Sequence, residues 1–339
     1  MSSALLTLAG SGGGESQGPS FLKTTTYSGD SVNFREFNVG HPTNLVWVKK
    51  TSTTSDWVAC DTNRGAGEVL YPNEPELEVT LTNTIREFTA TGFKTGTSGT
   101  TNALGSNYVA YSFSTGATAS SNTDGTITAT VNAGVDNGFS ICTYTGNGIS
   151  GATYGHGLNS TPELVITKNL PNNYLWVATG ADIGLNLYLK LDSNAVTSGL
   201  SQALPGSSVI NLSNVFLTNA SGQDYVSWCF HSVPGKSKIG TYTGTGSIPG
   251  QTITTGFRPG FVLIKAVDDN SGWFVYDSQQ DTTNPRTLYL TVDSIDGQQS
   301  NAQGLNFNET SFDVRQPFGT QPLNVSGKKY LYFAIAEES

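Results

Sequence analysis

Three histidines are the first candidates for metal or acid–base chemistry in this sequence. His41 and His156 each follow a glycine at the same point of a repeated pattern, and His231 stands alone after an aromatic strand. Two imidazoles from separate repeats could ligate one metal ion. However, no Asp or Glu recurs beside them, and the third copy of the pattern has Thr255 in that place. We therefore expect turn histidines bonded to the backbone.

Carboxylates are the second set of candidates. Residues 192–194 and 293–297 carry oxygen atoms at the short spacing that a calcium site needs, but they are too few to fill its six or more positions. The pair Asp268 and Asp269 falls in a predicted turn and does not recur, so it does not indicate a glycosidase cleft. We expect Asx-type turns at strand ends. The sequence indicates no catalytic residue, no cofactor and no metal, and therefore a protein that is not an enzyme.

The cysteines offer little redox or metal chemistry. Cys60, Cys142 and Cys229 are too far apart for a disulfide framework and match no zinc spacing. Their neighbours are apolar or aromatic, so the sequence predicts buried free thiols.

Aromatic side chains could instead bind a ligand by stacking on sugar rings. The recurring ones are Trp57, Trp176 and Trp273 of a repeated hairpin and Tyr108, Tyr225 and Tyr330 of a repeated strand. A residue that every copy places at the same position is typical of a core, so we expect both sets to be core aromatics. A sugar site would lie in segments that differ between copies, such as residues 68–78 and 181–187.

Two strand patterns, each present three times, must position these residues. The aromatic strand spans 107–113, 224–230 and 329–335, and the hairpin spans 45–58, 164–177 and 261–275. The second and third copies also share a mid-domain strand at 187–193 and 288–294. The first copy lacks a recognisable equivalent and has a Pro/Glu-rich insertion at 72–76. Similar patterns at unequal offsets indicate divergent tandem domains.

Composition agrees with strands rather than helices. The chain has 39 glycines and only 13% charged residues, which suits short strands joined by tight turns. The fold class expected is all-β: three tandem β-sandwich (jelly-roll-like) domains with an extended N-terminal arm. We place the domains at 1–18 (docking arm), 19–115 (repeat 1), 116–233 (linker strand, from 125 to 131, and repeat 2) and 234–339 (repeat 3). A very short connection at 233–235 suggests that repeats 2 and 3 are held rigidly together.

Charge and hydropathy exclude several partners. The net charge is −9 with no basic run, which argues against a nucleic-acid backbone as partner. No run of eighteen apolar residues is present, so we expect no membrane insertion. No positive charge precedes the first apolar stretch, so residues 1–20 do not resemble a secretory signal, and we expect synthesis in the cytoplasm.

Several segments of the sequence resemble a known family. They are residues 122–127, 138–148, 151–158 with 162–165, and 255–265. These segments are similar to a repeat-domain family of tailed-phage virion proteins. Such domains are common in marine and cyanobacterial phages, and the proteins that contain them are usually called tail-fibre or structural proteins. The resemblance covers about residues 120–337 and is faint over 19–113. It implies a virion component without known catalytic residues.

Together these observations predict a structural protein on the outer surface of a tailed-phage virion, on the tail or the head. We favour a tail-fibre or surface-appendage component, as a homo-oligomer, with other virion proteins and a host-surface glycan as partners. Leu5, Leu6 and Leu8 of the arm are the expected virion-docking residues. The alternatives are a capsid decoration (cement or head-fibre) protein, a carbohydrate-binding module and a polysaccharide depolymerase.

Overall fold

The computed structural model describes residues 21–213, 215–315 and 323–338. This part of the chain is all-β and sandwich-like, which confirms the predicted fold class. Its one helical element is a 3₁₀ turn at Val135–Asn137. The predicted docking residues Leu5, Leu6 and Leu8 lie outside the described residues.

Repeat 1 contains nine strands. They are β1 (Leu22–Ser28), β2 (Arg35–Asn38), β3 (Leu45–Lys50), β4 (Val58–Asp61), β5 (Glu68–Val69), β6 (Val79–Thr80), β7 (Ile85–Thr89), β8 (Gly92–Thr95) and β9 (Asn107–Phe113). The main sheet has the order β1-β9-β3-β4, and smaller sheets β2-β8-β7 and β5-β6 cover it. The first copy does have a counterpart of the mid-domain strand, because β5 leads into Leu70, which bridges Ala59 of β4.

Repeat 2, as far as the structure describes it, contains ten strands. They are β10 (Ser120–Asn122), β11 (Ala129–Gly134), β12 (Phe139–Thr145), β13 (Thr153–Gly155), β14 (Leu164–Asn169), β15 (Val177–Thr179), β16 (Leu187–Lys190), β17 (Ser198–Gly199), β18 (Val209–Asn211) and β19 (Asp224–Phe230). One sheet has the order β10-β11-β12-β19-β14-β15-β16-β17, and β13 pairs with β18. The expected linker strand at 125–131 is shifted, because β11 begins at Ala129 and joins the sheet of repeat 2.

The described residues of repeat 3 contain eight strands. They are β20 (Ser237–Thr243), β21 (Gln251–Thr254), β22 (Pro259–Ala266), β23 (Phe274–Asp277), β24 (Arg286–Thr291), β25 (Gln299–Asn308), β26 (Ser311–Val314) and β27 (Lys329–Ala336). They form one sheet in the order β20-β27-β22-β23-β24-β25-β26-β21. This sheet turns over itself near Gly304, whose φ is +51° and where a Cβ would lie 1.8 Å from the carbonyl oxygen of Arg286. Only glycine fits this bend.

Each repeat has a central four-stranded sheet whose two middle strands are buried on both faces. The three sheets are β1-β9-β3-β4, β12-β19-β14-β15 and β20-β27-β22-β23. In β3, Leu45 and Trp47 point to one core while Val46 and Val48 point to another. Burial on both sides explains why the middle strands, such as β3, are largely continuous apolar runs in the sequence rather than alternating ones.

The inner faces of the three central sheets meet in one shared core. This core combines residues from all three repeats, whereas the outer face of each sheet packs under the second layer of its own repeat. Phe230 contacts Phe113 of repeat 1 at 6.2 Å and Phe333 of repeat 3 at 5.0 Å between ring centroids. The repeats are therefore consecutive in sequence but grouped around a common centre in space.

The molecule has two distinct ends. At the chain end, Lys23 forms an ion pair with Glu338, and Leu22 pairs with Phe113. At the opposite, loop end, each repeat brings its opening turn beside the turn that precedes its repeated Tyr, as when Gly146 donates to the carbonyl of Gln223.

A tyrosine and an asparagine fix each pair of turns at the loop end. In repeat 2, Tyr225 Oη donates to Phe216 O at 2.8 Å and accepts from Ala220 N at 2.8 Å, a tyrosine-corner arrangement. The buried asparagine six residues earlier bonds to the opening turn in every repeat. These side chains are Asn102, Asn219 and Asn324, which accept from the backbone N–H of Asp30, Asn147 and Thr245.

Candidate functional site

The three repeated tryptophans join neighbouring repeats. Each is at most 1% exposed, and each donates its indole N–H to a backbone carbonyl of another repeat. The bonds are Trp57 Nε1 to Thr291 O at 3.0 Å, Trp176 Nε1 to Tyr71 O at 2.9 Å and Trp273 Nε1 to Lys190 O at 2.7 Å. The indole rings are inside the protein and cannot stack on a sugar ring.

A buried lysine crosses the same boundary beside each tryptophan. Lys49, Lys168 and Lys265 are the penultimate residues of β3, β14 and β22, and all three are buried. The bonds across the boundary are Lys49 Nζ to Ile295 O at 2.8 Å, Lys168 Nζ to Pro75 O at 3.2 Å and Lys265 Nζ to Asn194 O at 2.9 Å. Burial lowers the pKa of each lysine to about 8.

These six bonds follow one cyclic order. Repeat 1 donates to repeat 3, repeat 3 to repeat 2, and repeat 2 to repeat 1. In every acceptor repeat, the carbonyl that bonds to the lysine lies four residues after the one that bonds to the tryptophan, as Pro75 follows Tyr71. We call these donors and acceptors the inter-repeat clasp. Its order is that of a closed ring of heterologous contacts, formed here within a single chain.

A further polar contact crosses two of the three boundaries. The bonds are Tyr111 Oη to Asp277 Oδ2 at 2.7 Å and Trp228 Nε1 to Asp61 Oδ2 at 3.3 Å. At the third boundary the corresponding positions, three residues after the repeated Tyr and four after the repeated Trp, hold Phe333 and Gly180. Donor and acceptor are thus replaced together, which leaves neither of them buried without a partner.

The candidate histidines bond to the backbone. His41 Nδ1 lies 3.1 Å from Pro42 O, and His231 Nδ1 lies 2.8 Å from Ser232 O. His156 lies 3.3 Å from Gly206 O through Nε2. Burial lowers the pKa of His41 and of His156, which favours neutral imidazoles. These contacts give the histidines a role in holding turns.

The two acidic segments come together, although not as a metal centre. Asp192, Asp293 and Asp296 line one groove of about 490 Å³ between repeats 2 and 3. Asp293 Oδ1 accepts the backbone N–H of Trp273 at 2.8 Å, as Asn73 Oδ1 does for Trp57 in repeat 1. Within the described residues, no group of three or more His, Cys, Asp or Glu is placed to hold a metal ion. Asp293 thus holds the hairpin that carries Trp273 of the clasp.

The cysteines are buried free thiols. Cys60, Cys142 and Cys229 form no disulfide, and burial raises the pKa of Cys60 to about 12. A thiol with a raised pKa is a poor nucleophile at neutral pH.

Solvent-open grooves also lie at the other two boundaries, next to the clasp. Groove A, between repeats 1 and 3, has a volume of about 450 Å³, and groove B, between repeats 1 and 2, about 410 Å³. Groove A is lined by Thr26, Tyr27, Ser28, Thr51, Asn107, Tyr108, Gln279, Gln280 and Gln298. Glu68 and Glu78, from a segment in which a sugar site was expected, line groove B. At the third boundary Lys329 Nζ crosses to Asp182 O, in the other such segment.

The lysines and asparagines were not predicted as functional groups. Their signal is nevertheless present in the sequence, because a lysine closes the first strand of all three hairpins and an asparagine precedes each repeated Tyr by six residues. The acceptors in other repeats carry no such signal, since they are backbone carbonyls that any residue provides.

Comparison with known proteins places the chain in a family. No curated protein and no solved structure matches the sequence. Across the described segments, no helix is long and apolar enough to cross a membrane. A family model described as "Domain of unknown function (DUF7483)" matches residues 17–339. Because this match spans nearly the whole sequence, the chain belongs to the DUF7483 family.

Proposed function

We propose that this chain is a non-enzymatic structural protein of a tailed-phage virion, acting as a tail-fibre or surface-appendage component in particle assembly and host attachment. The observation that carries the proposal is the inter-repeat clasp. Two polar side chains common to all three copies, a Trp and a Lys such as Trp176 and Lys168, join the repeats into one body. Their role is mechanical, which suits a part that bears load on a particle.

The two ends of the molecule support the same proposal. Residues 21 and 338, near the two limits of the described chain, lie at the chain end, while the loop end presents apolar side chains on fixed turns. Val32, Ile149 and Ile248 are 52%, 63% and 59% exposed in the opening turns of the three repeats. Asn219 Nδ2 donates to Ile149 O at 2.9 Å and holds its turn in place. Rigid exposed tips are suitable points of contact with other virion proteins or with a host surface.

The direct test is immunogold electron microscopy of purified virions with an antibody raised against this chain. We expect label on the tail or on a tail appendage, in several copies per particle. Label spread over the head would replace the tail-fibre proposal with capsid decoration. A particle that carries no label, and whose proteome also lacks the chain, would contradict a virion role altogether.

The proposed homo-oligomeric state has its own test. Sedimentation velocity of the purified full chain should give a mass that is a multiple of 35.8 kDa. A monomer at all concentrations would remove the multivalency argument while leaving the virion role open to the labelling test.

A further inference from the structure

We propose that groove A is a binding site for a neutral glycan, formed by the loop-end parts of β1 and β9 in repeat 1 and by Gln279, Gln280 and Gln298 of repeat 3. This inference rests on the proposed attachment function and names the ligand class that the attachment would recognise.

The lining of groove A has the chemistry that an uncharged sugar requires. All nine lining residues are uncharged and polar, and their side chains carry hydroxyl or carboxamide groups, or a phenol in the case of Tyr27 and Tyr108. Such groups both donate and accept hydrogen bonds, as sugar hydroxyls do. The volume of about 450 Å³ falls in the range of small-molecule sites, which is roughly 300–1,000 Å³.

Part of the lining is fixed and part is free to meet a ligand. Gln280 Nε2 donates to Tyr111 Oη at 2.6 Å, and Gln298 Nε2 donates to Gln280 Oε1 at 3.3 Å, so the wall from repeat 3 is held in place. Along the described chain, the Gln279 carboxamide and the Thr26 hydroxyl make no hydrogen bond to protein. Preorganised walls with unused polar groups lower the entropic cost of binding.

Comparison of the three boundaries distinguishes the residues that hold the repeats together from the residues that line groove A. The clasp uses Trp and Lys at every boundary, whereas the residue before the repeated Tyr is Asn107, Asp224 or Lys329. Asn107 is neutral and lines groove A, whereas Asp224 is acidic and lines groove B. Lys329 crosses the third boundary and donates to Asp182 O. The clasp residues are the same at every boundary, but the residue before the repeated Tyr differs. This difference is expected if the ligand, and not packing, determines which residue lies at the groove.

Charge favours a neutral ligand over an acidic one. No lysine or arginine lines groove A, so a carboxylate or sulfate on the glycan would find no cation among the lining side chains. The chain also has a net charge of −9, which repels polyanions.

The test is binding of the full chain to immobilised oligosaccharides, with neutral hexose and N-acetylhexosamine glycans beside sialylated, sulfated and uronic-acid glycans. We expect one or more neutral glycans to bind, and the best of them is then titrated by calorimetry. The double variant Thr26→Val/Gln279→Ala should weaken that binding by at least about tenfold, because it removes the two free polar groups. Thr241→Val, at the equivalent of Thr26 on the boundary crossed by Lys329, is the matched control and should leave affinity unchanged.

Three outcomes would overturn the inference: no neutral glycan bound, acidic glycans bound more tightly, or affinity equal in wild type and the double variant. Melting curves of the variants establish that a loss of binding is not a loss of folding. A virion that carries the label but a chain that binds no glycan would reject groove A and keep the structural role. Glycan binding by a chain that is absent from virions would keep groove A as a glycan site and reject the structural role in the virion.

Discussion

Trp47 and Trp176 lie in the same shared core and both contact Trp228, at 5.5 and 5.0 Å between ring centroids. They differ in their indole N–H groups. Trp176 donates to Tyr71 O, whereas Trp47 Nε1 has no hydrogen-bond partner within the described segments. Comparing variants of these two residues therefore separates the contribution of the clasp hydrogen bond from that of ring packing.

Trp176→Phe should lower the free energy of unfolding by about 0.5–1.5 kcal/mol more than Trp47→Phe, because only the former removes a hydrogen bond, and Tyr71 O then keeps only the N–H of Glu74. Urea denaturation of both variants measures the difference. Equal losses would mean that the indole bond contributes no stability and that ring volume accounts for the whole effect.

The clasp lysines predict how stability depends on pH. Their pKa is about 8 in the folded chain and about 10.4 when unfolded, so between these values the unfolded state binds more protons. Stability contributed by these groups should then rise with pH. From pH 7.5 to 9.5 the wild type should gain roughly 1–2 kcal/mol relative to Lys265→Met. A difference that stays flat or falls would show that Lys265 keeps its proton in the folded state.

At the residue scale, the sequence predicted that the recurring Trp and Tyr are buried but not what they bond to. Every copy needs the same large side chain, and that requirement is visible in one sequence. The acceptor of Trp57 is the carbonyl of Thr291, more than two hundred residues away, and backbone carbonyls have no sequence signature.

At the element scale, the loop end depends on the buried asparagines. Asn219 accepts from Asn147 N at 2.9 Å and donates to Ile149 O at 2.9 Å, so one side chain fixes the opening turn of repeat 2. Asn219→Ala should speed amide hydrogen exchange over residues 146–151 and cost about 1–3 kcal/mol. The turns of repeats 1 and 3 keep their own asparagines and serve as internal controls. Unchanged exchange in 146–151 would show that the turn is held by other contacts.

The hairpins and aromatic strands were predictable because their apolar runs recur three times. The mid-domain strand of repeat 1 was not, because Pro72 interrupts the pattern that marks it in the other copies. In the structure this strand is identified by its contacts. Leu70 forms a β-bridge with Ala59, and Tyr71 O accepts a hydrogen bond from the Trp176 indole N–H. Groove A combines β1 with residues from repeat 3, and no local pattern brings such distant segments together.

At the scale of the whole molecule, the shared core makes the three repeats interdependent. Phe113, Phe230 and Phe333 belong to different repeats but pack in one cluster. Unfolding one repeat would expose the inner sheet faces of the other two and break the clasp at two boundaries. Burial of that apolar area stabilises the repeats jointly, so none of them should melt alone.

Differential scanning calorimetry of the full chain tests this central claim most directly. We expect a single transition, and Trp176→Phe should move the whole transition to lower temperature without splitting it. Two or three separable transitions, with only one of them shifted by Trp176→Phe, would contradict a single closed body and would describe domains that are merely linked in sequence.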